Sequence, residues 1–77
     1  MEITPNEDKI EKYPEFHPRL MESRVSCGLS QKRMAELLDY ESSTAISLLE
    51  SGKRGISARK LYEWSHYTNR PIQYFFT

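Results

Sequence analysis

Between Pro18 and Phe76 apolar residues recur at intervals of three and four, and helix-ending residues interrupt them regularly, which predicts a series of short amphipathic helices. A first helix is expected over Pro18 to Cys27. Leu20, Arg24 and Cys27 share one of its faces, and Met21 and Val25 form a second apolar strip beside it. Pro18 suits the first helical position, and Gly28 suits the left-handed residue just past the end. The second helix opens at Ser30, whose hydroxyl can accept from the free amides of the first turn. Leu29 before this cap and Met34 inside the helix have the spacing of a hydrophobic staple. Met34, Ala35 and Leu38 then face the core, leaving Gln31, Lys32, Arg33 and Glu36 turned to water or a ligand.

Asp39 and Tyr40 make the next turn, and Ser42 or Ser43 caps a third helix that buries Ile46 and Leu49 and stops at Gly52. A fourth helix repeats the staple, with Ser57 as cap between Ile56 and Leu61. Trp64 and Thr68 continue its inner face, and Asn69 supplies a left-handed stop. Pro71 opens a short fifth helix whose Ile72, Phe75 and Phe76 need either the core or a partner. The expected fold is therefore all-α, with five helices over residues 18–77. Residues 1–17 are expected to be a loosely ordered arm. Pro5, Pro14 and Pro18 interrupt any helix there, and Ile3, Ile10, Tyr13 and Phe16 are too few for a core of their own.

Composition narrows this picture only slightly. A chain of 77 residues forms one domain and buries only about 60% of the surface its unfolded form exposes, so self-association would help it. The net charge is zero, but it is divided unevenly along the chain. The arm has five acidic residues against two lysines, a net of −3, while residues 18–77 have nine basic against six acidic, a net of +3. An acidic leader on a mildly basic domain is compatible with a nucleic-acid-binding module and equally with a solvated tail. No apolar run is long enough for a signal peptide or a membrane span, so a cytoplasmic location and no membrane partner are expected. Cys27, the only cysteine, cannot form an internal bridge and is expected at the edge of the core.

Arg19-Leu20 on the first helix, Gly28-Leu29-Ser30-Gln31 opening the second and Ala35 with Leu38 inside it stand in a specific order. Ile46-Ser47-Leu48-Leu49-Glu50-Ser51-Gly52-Lys53-Arg54 follows across the end of the third helix. Over Arg19 to Phe76 this arrangement resembles the lambda-repressor-like and Cro-like (XRE) helix-turn-helix domains. Three features depart from that pattern. Asp39 stands where glycine is common, one extra residue lies between Leu38 and Ile46, and no Arg, Lys, Gln or Asn occurs from Ser42 to Ser51.

The resemblance implies a reader of double-stranded DNA whose third helix enters the major groove, with base contacts at Ser42, Ser43, Thr44 and Ser47. Hydroxyls bond to donors or acceptors alike, and the methyls of Thr44 and Ala45 can touch thymine, so readout would be tolerant. Leu48 falls beside that face, open to a thymine methyl, a packed neighbour or another protein. Gln31 occupies the family's phosphate-binding position. Lys53 and Arg54 flank it, Lys32 and Arg33 lie within a turn of it, and all five are candidate phosphate contacts. Arg59 and Lys60 sit at a helix start, where cations oppose the dipole, and a phosphate contact would be one compensating benefit there. Arg24 and Glu50 are expected, again from the resemblance, to form a structural ion pair.

Catalysis finds no support. His17 and His66 fit no metal-binding or nucleophile–base spacing, and no glycine-rich phosphate loop exists, so no enzyme activity, metal or cofactor is expected. Tyr62, Trp64, His66 and Tyr67 could stack on bases, but their spacing favours core and rim. The expected function is a small transcriptional regulator, a repressor, binding a palindromic operator as a homodimer through Tyr74, Phe75 and Phe76. If Thr77 ends the protein, its control would come through concentration, a partner or proteolysis. The alternative is an antitoxin-like module with a co-encoded protein partner, supported by the missing base readers, an exposed Leu48 and the acidic leader.

Overall fold

Four left-handed residues, Gly28 (φ 73°), Asp39 (62°), Gly52 (80°) and Asn69 (56°), set the helix boundaries in the computed structural model, which describes residues 13–77. Helix α1 spans Phe16–Ser26, α2 Gln31–Leu38, α3 Ser43–Ser51 and α4 Ala58–Tyr67, and a 3-10 turn spans Ile72–Phe76. Glycine adopts this conformation freely, while Asp and Asn tolerate it at modest cost. The aspartate in place of the common glycine therefore still ends α2. Ser30 and Ser57 cap α2 and α4, accepting from the amides of Arg33 (2.9 Å) and Lys60 (3.1 Å). Ser42 caps α3 by position alone, and its hydroxyl makes no capping bond.

The described residues contain four α-helices, not five. One turn after Pro71 offers too few hydrogen bonds to offset the cost of nucleating an α-helix. The chain winds more tightly instead, with the Tyr74 amide donating to the Pro71 carbonyl at 3.0 Å. Helix α1 also starts two residues earlier than expected, so the expected boundary after residue 17 falls inside it. Pro18 sits in the first turn, where its missing N–H has no intrahelical partner to lose.

Phe16 supplies the reason for the early start. It is buried in the core with Leu20, Met34, Leu38, Ile46, Leu49, Trp64 and Phe75. Tyr13 packs against the same core, while Ile3 and Ile10 lie outside the described residues. The expected second strip on α1 faces water, with Met21 and Val25 exposed. Cys27 is exposed too, although its Sγ donates to the Thr68 carbonyl at 3.1 Å. The buried indole of Trp64 donates from Nε1 to the Ser23 hydroxyl at 3.0 Å, so α1 and α4 are joined without an unpaired donor.

His17, expected to lie in the arm, seats its ring under Gly52 and places Nδ1 3.1 Å from the Leu49 carbonyl near the end of α3. A Cβ at Gly52 would lie 3.0 Å from His17 Cδ2, whereas one at Gly28 would meet open space. Gly28→Ala is therefore expected to cost about 1 kcal/mol of left-handed strain and Gly52→Ala about 2–3 kcal/mol. Chemical denaturation of the two variants checks the order, and equal losses would remove His17 from the packing of this turn.

Candidate nucleic-acid interface

Helices α2 and α3, with the turn between them, present the predicted contact residues on their outward faces. Ser42, Ser43, Thr44 and Ser47 are all exposed. Ala45 is not, at 1% exposure, because helical spacing turns it inward beside Ile46 and Leu49, which removes it as a thymine contact. Leu48 is half-buried, not exposed, and its carbonyl receives the amides of Lys53 (2.9 Å) and Arg54 (3.2 Å). Those bonds fold the basic loop back against the end of α3.

The predicted ion pair between Arg24 and Glu50 is present and buried. Arg24 donates from Nε to Glu50 Oε2 at 2.6 Å and from its second nitrogen to Oε1 at 3.2 Å, a two-pronged geometry. Its remaining nitrogen donates to the Leu29 carbonyl at 2.7 Å, fastening the loop that leads into α2. Gln31 then donates from Nε2 to Glu50 Oε1 at 3.1 Å. The candidate phosphate ligand is thus oriented by the carboxylate, with one amide hydrogen engaged and the other left over.

The remaining cations divide by partner. Arg33 pairs with Glu36 at 3.2 Å on the exposed face of α2. Arg54 pairs with Glu41 at 2.8 Å and lies over the Tyr40 ring, 5.1 Å from its centroid. Lys32 and Lys53 are exposed and pair with no carboxylate among the described residues. Arg59, at the start of α4, lies 3.5 Å from Glu63. Lys60 donates to the Leu38 carbonyl at the end of α2 and sits over Tyr40, so its place at a helix start is explained by capping a neighbouring helix.

Sequence reasoning singled out neither Tyr40 as a pedestal nor Glu41 as a functional group. The residue added between Leu38 and Ile46 was the available signal, since a longer turn must put side chains somewhere. Glu41 has its pKa lowered, first by a hydrogen bond from its own backbone amide and then by Arg54, so it is held ionised. Tyr40 has its pKa raised by burial, with Arg54 opposing that shift. Glu41, Ser42, Ser43 and Lys32 line one shallow cleft between α2 and the start of α3.

The aromatic dimer surface is not present as expected. Phe75 is fully buried in the chain's own core, and Phe76 packs on Phe16 and Tyr13, with centroids 5.2 and 5.3 Å away. Tyr74 lies between the guanidiniums of Arg19 and Arg70, each 4.9 Å from its centroid, and donates its hydroxyl to Glu22. Its pKa is raised by burial first and by that hydrogen bond next. A short chain with few large apolar residues spends these on itself. Among the predicted stacking residues Trp64 is core, whereas Tyr62 and Tyr67 are exposed. No cluster of metal-ligating side chains occurs among the described residues, and no helix there is long and apolar enough to cross a membrane.

The helix-turn-helix family model matches residues 20–75 of the chain. No curated protein matches the chain.

Removing the Glu50 carboxylate strands a buried guanidinium and frees Gln31. Glu50→Ala is expected to cost about 3–5 kcal/mol, the usual consequence of breaking a buried pair. Thermal melting reads the loss, and an unchanged midpoint would show that the pair does not hold α1 to α3.

Proposed function

Because the chain belongs to the Cro/C1-type (XRE) helix-turn-helix family of DNA-binding domains, we propose that it is a cytoplasmic transcriptional regulator, a repressor, that binds a palindromic duplex operator as a homodimer. The observation that carries this reading is the exposure of the hydroxyls at the start of α3, Ser42 and Ser43 sharing a cleft with the exposed Lys32, while the exposed Lys53 follows the end of α3. A recognition helix offers its N-terminal residues to base edges, while flanking cations and helix N-termini grip phosphate.

Each group has a defined task in that complex. The N-terminal turn of α3 enters the major groove, where Ser42, Ser43, Thr44 and Ser47 meet base edges. The first turn of α2 turns its free amides to a phosphate, and Gln31 adds its remaining amide hydrogen. Lys53 and Arg54 hold the backbone beyond the other end of α3. Four of the five guanidinium donors of Arg54 are left over after its bond to Glu41, so pairing does not remove it from the phosphate set. Two copies would engage half-sites about 34 Å apart.

A second reading, an antitoxin-like module recognising a co-encoded protein, is favoured by Tyr62 and Tyr67, exposed along a groove between α2 and α4. Retention on mixed-sequence DNA at low salt separates the two. The regulator is retained; the partner-only module flows through.

Two results are expected of the regulator. Replacing Lys32 and Lys53 with alanine should flatten the slope of log affinity against log salt by about two, equally on all duplexes. Fluorescence anisotropy at several salt concentrations measures this, and an unchanged slope would remove both lysines from the interface. Sedimentation on a palindromic site selected from random duplexes should give two chains per duplex, and one chain per duplex would overturn the dimer.

A further inference from the structure

The lengthened turn between α2 and α3 carries more than its connection requires. Tyr40 is half-buried against the core, and the Arg54 guanidinium lies over its ring at 5.1 Å. Arg54 in turn donates to Glu41 at 2.8 Å. The side chain of Glu41 is nonetheless 67% exposed, one residue ahead of the cap of the recognition helix. It shares a cleft with Ser42, Ser43 and Lys32, which are candidate DNA contacts.

We propose that Glu41 is a specificity-determining residue whose carboxylate, steadied by Arg54 on its Tyr40 pedestal, accepts a hydrogen bond from the N4 amino group of cytosine in each half-site. The proposal rests on the DNA-binding reading above. A carboxylate accepts only, and the cytosine amine is the major-groove donor it pairs with most characteristically. Ser42, Ser43, Thr44 and Ser47 can bond to donors and acceptors alike, so Glu41 is the discriminating group at this end of α3. Approach of an anion to DNA is opposed by the phosphates, and Arg54 at 2.8 Å offsets that charge locally.

A simpler role for the pair would be to keep Arg54 away from phosphate. An exposed ion pair is too weak for that, being worth little in water and less in salt. What the pair adds is direction, because the Arg54 guanidinium that meets the carboxylate itself rests on the Tyr40 ring.

The test is selection of sites from randomised duplexes by the full chain and by Glu41→Ala and Glu41→Gln, with melting curves confirming that all three fold. The unaltered chain should select one invariant C·G pair in each half-site and lose about tenfold in affinity when that pair becomes T·A, the usual scale for one mismatched pair. Glu41→Ala should bind the two sequences without preference, and Glu41→Gln, whose amide donates as well as accepts, should take T·A as readily as C·G. Identical selected sites for all three proteins would overturn the proposal. So would variants that bind every sequence more tightly by the same factor while keeping the cytosine, since the carboxylate would then act only by repulsion. If the unaltered chain enriches no sequence but binds duplexes uniformly, Glu41 is not a determinant. If it binds no duplex at all, the DNA-binding reading itself fails, and this proposal fails with it.

Discussion

One carboxylate joins three helices of this domain. Glu50, on α3, takes both prongs of Arg24 from α1 and the amide of Gln31 from the first turn of α2. Arg24 uses its third nitrogen on the Leu29 carbonyl, so the loop before α2 is tied to the same point. A buried ion pair stabilises little compared with apolar residues of the same volume, but it is costly to break. Its contribution here is placement: it fixes the end of α3 against the start of α2, the two segments that a duplex would span. His17 adds a second tie from α1 to the end of α3, through the Leu49 carbonyl.

A net charge of zero is compatible with binding a polyanion when the charges are arranged unequally. Acidic residues are spent on arginines: Glu50 on Arg24, Glu36 on Arg33, Glu41 on Arg54 and Glu63 on Arg59. Lys32, on α2, and Lys53, in the loop after α3, are left without such partners among the described residues. Non-specific affinity from so few cations should be modest, which leaves discrimination to the residues at the start of α3.

Helices α2, α3 and α4 were legible because local rules agree there with the global packing. Ser30 and Ser57 cap, Leu29 and Ile56 staple, and Gly52 and Asn69 stop the helices as their residue types require. The burial of Phe16 is not legible locally, because its partners, Phe76 and the rest of the core, are distant in sequence and only prolines flank it nearby. Tyr74, Phe75 and Phe76 show the converse: in sequence the apolar cluster looks unpartnered, and only the packing of α1 against it covers it. The exposed hydroxyls of the interface follow directly from helical spacing. Glu41 does not, since its importance depends on Arg54 reaching back across thirteen residues to the turn.

The most direct measurement is a titration of the isotopically labelled full chain with a mixed-sequence duplex at low salt, followed by backbone amide chemical shifts. Binding through α2 and α3 predicts large changes at Gln31, Lys32, Ser43, Thr44, Ser47 and Lys53, with Met21, Val25 and Ile72 unmoved. Shifts confined to Tyr62, His66 and Tyr67, or no shifts at all, would contradict it.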